Sequence, residues 1–410
     1  MSRMPYDLVV AGHGRLANYL TKIGSILRDK RKRASFAMYA FGILGEGERK
    51  SVEPIAARAS GDPELVRAYT ERLLHFVGDA KWDDQEVRRL GSEHAIEAMA
   101  TQDAVRVWIV DDTGMLKQGT HSVGVQRQYT GSAGKVANCQ IAVTLCAATQ
   151  YEAVPIDVAL YLPESWTSDQ ALRKKARIPN DVTFKTKPEL ALEMIDRACL
   201  AEIPGEVVLA DAAYGDSSEF RAGVRTYGLD YAVGIRAATK VFVVNAAGRQ
   251  RGEATGVKDL AQRLGKKAFR RVTWREGTSP TKLSARFCFR RVKVAHDDGT
   301  ALDEREDIWL VIEWRDGEDE PAKYHLTTLG RRMTKKEIVR IIKERWRTER
   351  VYQELKGELG FDHFEGRSFP GWHHHVSVVL CCYAFVVAER LRHFPPSAVQ
   401  TKDSSQSCAA

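Results

Sequence analysis

Two apolar runs that each end in an acidic residue constrain the fold of this chain more than any other feature. Residues 105–110 (VRVWIV) are apolar towards both faces, as in a strand at the centre of a sheet, and Asp111 and Asp112 follow directly. Residues 206–210 (EVVLA) form a second such run, which ends at Asp211. A single acid at a strand end is more often a loop cap. Two of them predict an α/β sheet with an acidic site at the edge where such sheets bind ligands.

Changes in the periodicity of apolar residues divide the rest of the chain. Helical spacing dominates the start, strands and a helix follow, a series of short strand candidates comes next, and helical spacing then resumes. We predict a helical N-terminal domain over 1–100, the first part of an α/β core over 101–230, a β-rich insertion over 231–332, the second part of the core with closing helices over 333–394, and a disordered tail over 395–410.

The charge balance favours a polyanionic partner. The 410 residues carry a formal net charge of +8, and Lys and Arg gain affinity for nucleic acids by releasing counterions from phosphates. The seven cysteines are odd in number and lack Cys-x-x-Cys spacing, which predicts reduced thiols in a cytoplasmic protein. No secretory leader is visible, and the most apolar stretch, 376–388, is too short to span a bilayer. We interpret that stretch as part of a buried helix.

A third acidic residue lies on a predicted helix that begins at Thr334 and runs to about Gly357. Thr334 and Glu337 fit a capping box. Arg345, Glu349 and Lys356 follow at spacings that place them on one helix face. Taken alone, such a face is slightly more typical of a solvated ladder of ion pairs on a surface helix. Combined with two strand-end aspartates, a helix glutamate is the layout that holds two hard cations, because Mg²⁺ prefers carboxylate oxygens and substrate phosphates.

Adjacent strand residues point to opposite faces, so only one of Asp111 and Asp112 faces a given pocket. A family resemblance bears on this choice. The chain resembles the DDE transposases of bacterial insertion sequences, in the branch whose helix carries Tyr-x2-Arg-x3-Glu-x6-Lys. Arg345, Glu349 and Lys356 match that signature, whereas Ile342 stands at the Tyr position. The family's Asp-Thr pair matches Asp112 and the following threonine, so the resemblance favours Asp112 over Asp111.

The resemblance implies an RNase H-like catalytic core, a mixed sheet flanked by helices, interrupted by a β-rich insertion and preceded by an all-α domain. It implies Asp112, Asp211 and Glu349 as the catalytic, metal-binding carboxylates, with two Mg²⁺ ions for which Mn²⁺ can substitute. Residues 109–143 and 359–376 look like the IS701 group in particular.

The same resemblance implies a transposase that cleaves at terminal inverted repeats and transfers the 3′-hydroxyl into target DNA. A homodimer would hold two ends in the bacterial cytoplasm, associated with the nucleoid. A non-catalytic DNA-binding derivative, and a nuclease or resolvase without strand transfer, are the alternative functions.

The helical N-terminal domain over 1–100 is predicted to bind DNA, and several basic and aromatic residues along the chain are candidates for DNA contacts. Tyr324 stands where relatives carry a Trp that stacks on a flipped base, although packing inside the insertion is an equal alternative. Two other motifs are set aside: residues 131–135 lack the spacing of a phosphate loop, and His373, His374 and His375 diverge too far around a helix to share an ion. The predicted DNA-binding residues are Arg345, Lys356, Tyr324, Lys117, Lys135, Arg347, Arg31, Lys32 and Arg33.

Overall fold

A computed structural model describes residues 6–60, 62–245, 247–275, 283–295, 301, 304–330 and 333–394, with side chains from residue 12 onwards. The predicted tail over 395–410 lies outside the described residues.

Five helices precede the sheet. Aspartates cap three of them, because Asp29, Asp62 and Asp83 accept hydrogen bonds from backbone N–H groups of the first turn. The buried residues of these helices belong to one apolar core that they share with the sheet. The helices are α1 (Tyr6–Gly24), α2 (Lys30–Leu44), α3 (Val52–Ser60), α4 (Pro63–Gly78) and α5 (Asp84–Ala100).

The next segment forms a mixed sheet in the order β4-β3-β1-β5-β6, with β1 antiparallel to β3 and parallel to β5. A mixed sheet flanked by helices fits an RNase H-like core, as predicted. Both apolar runs that end in acids form neighbouring central strands. The elements are β1 (Val107–Leu116), β2 (Gln126–Thr130), β3 (Lys135–Ala148), β4 (Ala153–Tyr161), α6 (Glu164–Ser168), α7 (Gln170–Ala176), α8 (Lys187–Leu200), β5 (Val207–Ala210), α9 (Ala212–Gly215), α10 (Ser218–Thr226) and β6 (Asp230–Ile235).

The β-rich segment continues the same sheet. Its last strand pairs antiparallel with β6, where Tyr324 lies opposite Ile235, so one sheet of 12 strands runs through the described residues. The pattern missed β8 and α11. Strand β8 is polar, has no buried residue and shows no apolar alternation. The elements are β7 (Lys240–Val244), β8 (Gln250–Gly256), α11 (Val257–Leu264), a 3₁₀ turn (Lys266–Ala268), β9 (Arg270–Arg275), β10 (Leu283–Val294), β11 (Ile308–Trp314) and β12 (Lys323–Thr327).

The predicted helix from Thr334 to Gly357 is two helices, α12 (Lys335–Lys343) and α13 (Trp346–Gly357). The capping box at Thr334 is confirmed, since Glu337 N–H donates to its hydroxyl at 3.2 Å and its own N–H donates to the Glu337 carboxylate at 2.6 Å. The helix is interrupted at Glu344 and Arg345, where the N–H of Glu344 donates to Ile341 O and that of Arg347 donates to Glu344 O. These tighter bonds span three residues rather than four and separate the two helices.

The closing helix α14 (Phe369–His393) is the centre of the apolar core. It is long and apolar enough to cross a membrane, but 83% of its most apolar window is buried inside the protein. It packs against α2, α4, α5 and β4. This burial agrees with the prediction of a core helix. The thiols of Cys381 and Cys382 are buried on it and unbridged.

Candidate active site

Asp111 and Asp112 point to opposite faces of β1. In the pairing of β1 with β3, Asp111 lies opposite Thr144 and Asp112 lies opposite Val143. Thr144 shares a hydrogen bond of 2.6 Å with the hydroxyl of Tyr352 on α13. The face that carries Asp111 is therefore the face covered by the helix that bears Glu349.

The carboxylate of Asp111 is held by two residues at the start of α13. Its Oδ2 accepts hydrogen bonds from Nη1 of Arg345 and from the hydroxyl of Thr348, both at 2.9 Å. The pKa of Asp111 is raised to about 6, chiefly by burial and also by the charge of Asp211, while Arg345 and Thr348 act to lower it. An acid so buried is ionised only with a cation close by, and here Arg345 supplies the positive charge.

Asp211 lies beside Asp111 at the same edge of the sheet. The parallel pairing of β1 with β5 sets Ile109 opposite Leu209; Asp111 lies two residues further along β1, and Asp211 lies two residues further along the chain, directly after β5 and still in an extended conformation. Both side chains therefore point to the same face. Asp211 also caps α9, since its Oδ1 accepts a hydrogen bond of 2.9 Å from the N–H of Ala213.

Glu349 lies in the first turn of α13, and 65% of its side chain is exposed. Its Oε1 is 3.7 Å from Nη2 of Arg345. Because Nη1 of the same guanidinium binds Asp111, Arg345 links the buried acid on the strand to the exposed acid on the helix. The structure thus brings Asp111, Asp211, Arg345 and Glu349 into one neighbourhood.

The carboxylate of Asp112 has different partners. Its Oδ2 accepts a hydrogen bond from Lys187 at 3.0 Å and one from the Tyr214 hydroxyl at 3.2 Å. The geometry therefore groups Asp111, and not the expected Asp112, with Arg345 on the helix that carries Glu349. The choice of Asp112 stays a prediction that these contacts do not favour.

The donor set around Asp111 suits a hard divalent cation, although the site is not closed. Asp111 and Asp211 lie side by side at the sheet edge, and Glu349 lies on the adjoining helix α13. All three offer carboxylate oxygens, which hard divalent cations prefer as ligands. Within the described ranges, no group of three or more His, Cys, Asp or Glu side chains is already arranged to hold an ion. Glu349 is the exposed member, so its side chain is the one that is free to reorient.

Two of the predicted DNA-contacting lysines bind the protein itself. Nζ of Lys356 donates to the hydroxyl of Thr113 and to Gly114 O, both at 2.7 Å, and to the hydroxyl of Ser132 at 3.2 Å. Nζ of Lys117 donates to two backbone carbonyls at 3.0 and 2.8 Å. Burial lowers the pKa of both lysines. In this structure both hold the end of β1 in place.

Two further candidates are buried. Arg347 is 7% exposed and donates to Tyr151 O at 2.9 Å. Tyr324 is also 7% exposed and lies between Ile235 and Ile312 on the neighbouring strands. Neither side chain is presented to DNA in this structure, and for Tyr324 the contacts favour packing in the insertion.

The remaining basic candidates lie at the surface. Lys135 and Arg31 are exposed, as is Arg33, and Lys32 is half exposed and donates to Lys81 O at 2.6 Å. None of these four is among the residues that bind Asp111 or line the cleft next to Glu349.

The three consecutive histidines have separate partners. His373 contacts Phe369 O, His374 contacts Val77 O, and His375 lies between the Tyr39 hydroxyl at 2.8 Å and Gly360 O at 2.9 Å. The rings therefore diverge around α14, in line with the helical spacing.

A cleft of about 830 Å³ opens beside Glu349, between α12 and α13 on one side and strands β9, β10 and β12 on the other. Arg345 and Glu349 both line it. Trp346 also lines it, and its ring lies 5.3 Å from the guanidinium of Arg275. The lining includes four exposed cations: Arg275, Lys323, Lys336 and Arg340.

Sequence reasoning missed several residues of this site. Thr348 precedes Glu349 directly, but a threonine on a helix carries no signal of its own. Tyr214 follows Asp211 by three residues, which is the only local hint of its role. Lys187 is 75 positions from Asp112, and the sequence does not reveal that contact.

Comparison with known proteins matches the chain to two DDE family models. The family described as "DDE superfamily endonuclease" matches residues 21–281, and the family described as "Transposase DDE domain" matches residues 180–385. Each match spans more than half of the chain. The chain belongs to the DDE transposase superfamily.

The chain is also similar to a curated protein that is named as a transposase of an insertion sequence. The chain is 27% identical over 213 residues to the "Probable transposase for insertion sequence element IS701" of Microchaete diplosiphon. The matched region is 52% of this chain and 51% of that protein, so the chain spans about half the length of the curated relative it matches. The resemblance to a DDE transposase of the IS701 group is thereby confirmed at moderate identity. Superfamily members generally use divalent metals.

Proposed function

We propose that this DDE-family protein is a transposase that cuts DNA at the terminal inverted repeats of an insertion sequence and joins the 3′-hydroxyl to target DNA. One observation carries the proposal. Asp111 and Asp211 lie side by side on the sheet edge, Arg345 links Asp111 to Glu349, and the group borders a cationic cleft.

The proposed metal-binding carboxylates are Asp111, Asp211 and Glu349. Two Mg²⁺ ions, for which Mn²⁺ can substitute, fit oxygen donors of this kind. When bound, such ions would activate the attacking hydroxyl or water and stabilise the leaving oxygen of the phosphodiester. The contacts on the page favour Asp111 as the ligand on β1, since it shares a face with Asp211 and with α13.

Arg345 would serve the site through its guanidinium. It neutralises the buried Asp111 at 2.9 Å and keeps Glu349 within 3.7 Å, so that the acids stay together before any ion arrives. The planar group has five N–H donors, more than these two contacts use, and the remainder suit a phosphate oxygen. Thr348 would keep the carboxylate of Asp111 in one orientation.

The cleft beside Glu349 would hold the DNA strand that is cut. Its four exposed cations suit phosphates, since each lysine or arginine that neutralises a phosphate releases counterions. A homodimer, with one copy at each end of the element, is the assembly that the family relationship favours. The cytoplasm, with association to the nucleoid, is the corresponding location.

The test is cleavage and joining on a plasmid that carries the terminal repeats flanking the chain's own gene, with Mg²⁺ or Mn²⁺. We expect Asp111→Asn, Asp211→Asn and Glu349→Gln each to reduce cleavage at least a hundredfold, whereas Asp181→Asn on an exposed loop retains it. Cleavage without joined product would indicate a nuclease or resolvase. Binding of the repeats without cleavage would indicate a DNA-binding derivative.

A further inference from the structure

The second acid of the Asp111–Asp112 pair has a defined environment of its own. Lys187 and the Tyr214 hydroxyl both bind one oxygen of Asp112, Oδ2, at 3.0 and 3.2 Å. The side chain of Asp112 is 18% exposed and that of Lys187 is 25% exposed. Asp112 is thus largely enclosed by protein donors on the face of β1 away from Glu349.

The partner Tyr214 belongs to the turn that fixes Asp211. Asp211 caps α9, and the N–H of Gly215 donates to the carbonyl of Asp211 at 2.8 Å. Tyr214 is fully buried in the same short helix. The turn is packed against β6 so closely that a Cβ on Gly215 would lie 1.9 Å from Gly234 O. The Tyr214 hydroxyl and Asp211 are therefore held in a fixed position relative to each other by this turn.

The hydrogen bond from Tyr214 to Asp112 is a side-chain link between two chain segments whose strands, β1 and β5, also pair with each other. One end lies on β1, next to Asp111, and the other lies three residues beyond Asp211. The hydroxyl keeps its proton because burial raises the pKa of Tyr214 well above its usual value, and the nearby aspartates add to this effect. The phenol is therefore a constant donor to Asp112.

Lys187 adds a second anchor and a compensating charge. It is the first residue of α8, whose N-terminus is fixed by a capping box at Thr186. Its ammonium group neutralises the negative charge of Asp112. The carboxylate of Asp112 therefore adds no unpaired negative charge to those of Asp111 and Asp211.

We propose that Asp112 is a positioning residue, which sets the distance between Asp111 and Asp211 by binding the Tyr214 hydroxyl and Lys187 from the opposite face of the strand. The inference rests on the proposed function, in which Asp111, Asp211 and Glu349 hold the metal. It assigns to Asp112 a role that differs from that of a metal ligand.

The experiment measures Mn²⁺ binding to the full chain by electron paramagnetic resonance, together with the Mn²⁺ dependence of plasmid cleavage. Asp112→Asn keeps one oxygen, which is enough for both donors, because both bind Oδ2. We expect its dissociation constant for Mn²⁺ to stay within about threefold of the wild type. Asp112→Ala and Tyr214→Phe remove the link, and we expect about tenfold weaker binding, the effect of losing one hydrogen bond to a charged group.

Two further measurements separate positioning from a general structural role. At saturating Mn²⁺, the maximal cleavage rate of Tyr214→Phe should return to within about threefold of the wild type. Combining Tyr214→Phe with Asp112→Ala should weaken Mn²⁺ binding no more than Asp112→Ala alone, because both changes break the same link. Asp181→Asn is the matched control for the loss of one acidic charge.

The inference is overturned if Asp112→Asn loses Mn²⁺ binding as completely as Asp211→Asn while Tyr214→Phe binds normally, since Asp112 would then be a ligand. It is also overturned if Asp112→Ala and Tyr214→Phe both bind Mn²⁺ like the wild type. Failure of the proposed function has a different signature. Asp211→Asn and Glu349→Gln would then leave both Mn²⁺ binding and cleavage intact.

Discussion

His375 makes the stability of the fold depend on pH in a way that can be calculated. Its Nε2 lies 2.9 Å from Gly360 O, which only an N–H donor satisfies, so Nδ1 is left to accept from the Tyr39 hydroxyl at 2.8 Å. The pKa of His375 is lowered to about 4, chiefly by burial and also by the charges of Lys117 and His363, while the hydrogen bond to Gly360 acts to raise it. The folded protein thus holds this ring in its neutral form.

The unfolded chain takes up the proton more readily, since a free histidine has a pKa of about 6.5. The free energy of unfolding therefore has its full value above pH 7 and falls as the pH drops towards the folded pKa of about 4. For these two pKa values, the loss between pH 7.5 and pH 5 is about 2 kcal/mol from His375 alone.

Urea denaturation at pH 5.0, 6.0 and 7.5 measures this loss. His375→Gln keeps hydrogen-bonding groups at the position but cannot titrate, so its free energy of unfolding should fall by about 2 kcal/mol less over this range than that of the wild type. His75→Gln, at an exposed position of α4, is the control and should follow the wild type. If the wild type and His375→Gln lose equal stability between pH 7.5 and pH 5, the burial argument for this ring is refuted.

Four further predictions concern the site and its surroundings. Gly215→Ala should abolish plasmid cleavage and lower the melting temperature, because its Cβ would meet Gly234 O at 1.9 Å, whereas Gly357→Ala, with open space around it, should be neutral or stabilising by up to about 1 kcal/mol. Lys356→Met should destabilise the fold by about 1–3 kcal/mol in urea denaturation, since three acceptors lose their donor. Replacing Lys323 and Lys336 by Gln should reduce the salt slope of DNA binding by about 2 in fluorescence anisotropy, with Lys240→Gln on β7 unchanged. Tyr324→Ala should cost about 3–5 kcal/mol of stability, while Tyr324→Phe should leave DNA affinity unchanged in the same anisotropy assay because the ring is buried.

The central strands of the fold could be predicted from local patterns. The runs before Asp111 and Asp211 are apolar because both faces of β1 and β5 are covered, and this property is visible in a single segment. The capping box at Thr334 is equally local. Features of this kind depend on residues a few positions apart, so one sequence suffices to find them.

The face on which each residue lies could not be predicted in the same way. The alternation of side chains along β1 predicts that Asp111 and Asp112 point to opposite faces. Which of them binds Arg345 depends on where α13 packs, and α13 lies more than 230 positions later in the chain. Likewise, Arg345 and Arg347 stand two residues apart, and only tertiary packing makes one a site residue and the other a buried support.

The pairing of β12 with β6 has a consequence for attempts to reduce this protein to its core. Without the segment from β7 to β12, β6 would become the outer strand of the sheet, with unpaired backbone groups from Ala232 to Ile235. This strand is apolar and almost fully buried, and bare apolar edges promote aggregation by pairing with other chains. The β-rich segment therefore also protects the solubility of the core, and a version trimmed of it should precipitate even if its own folding were intact.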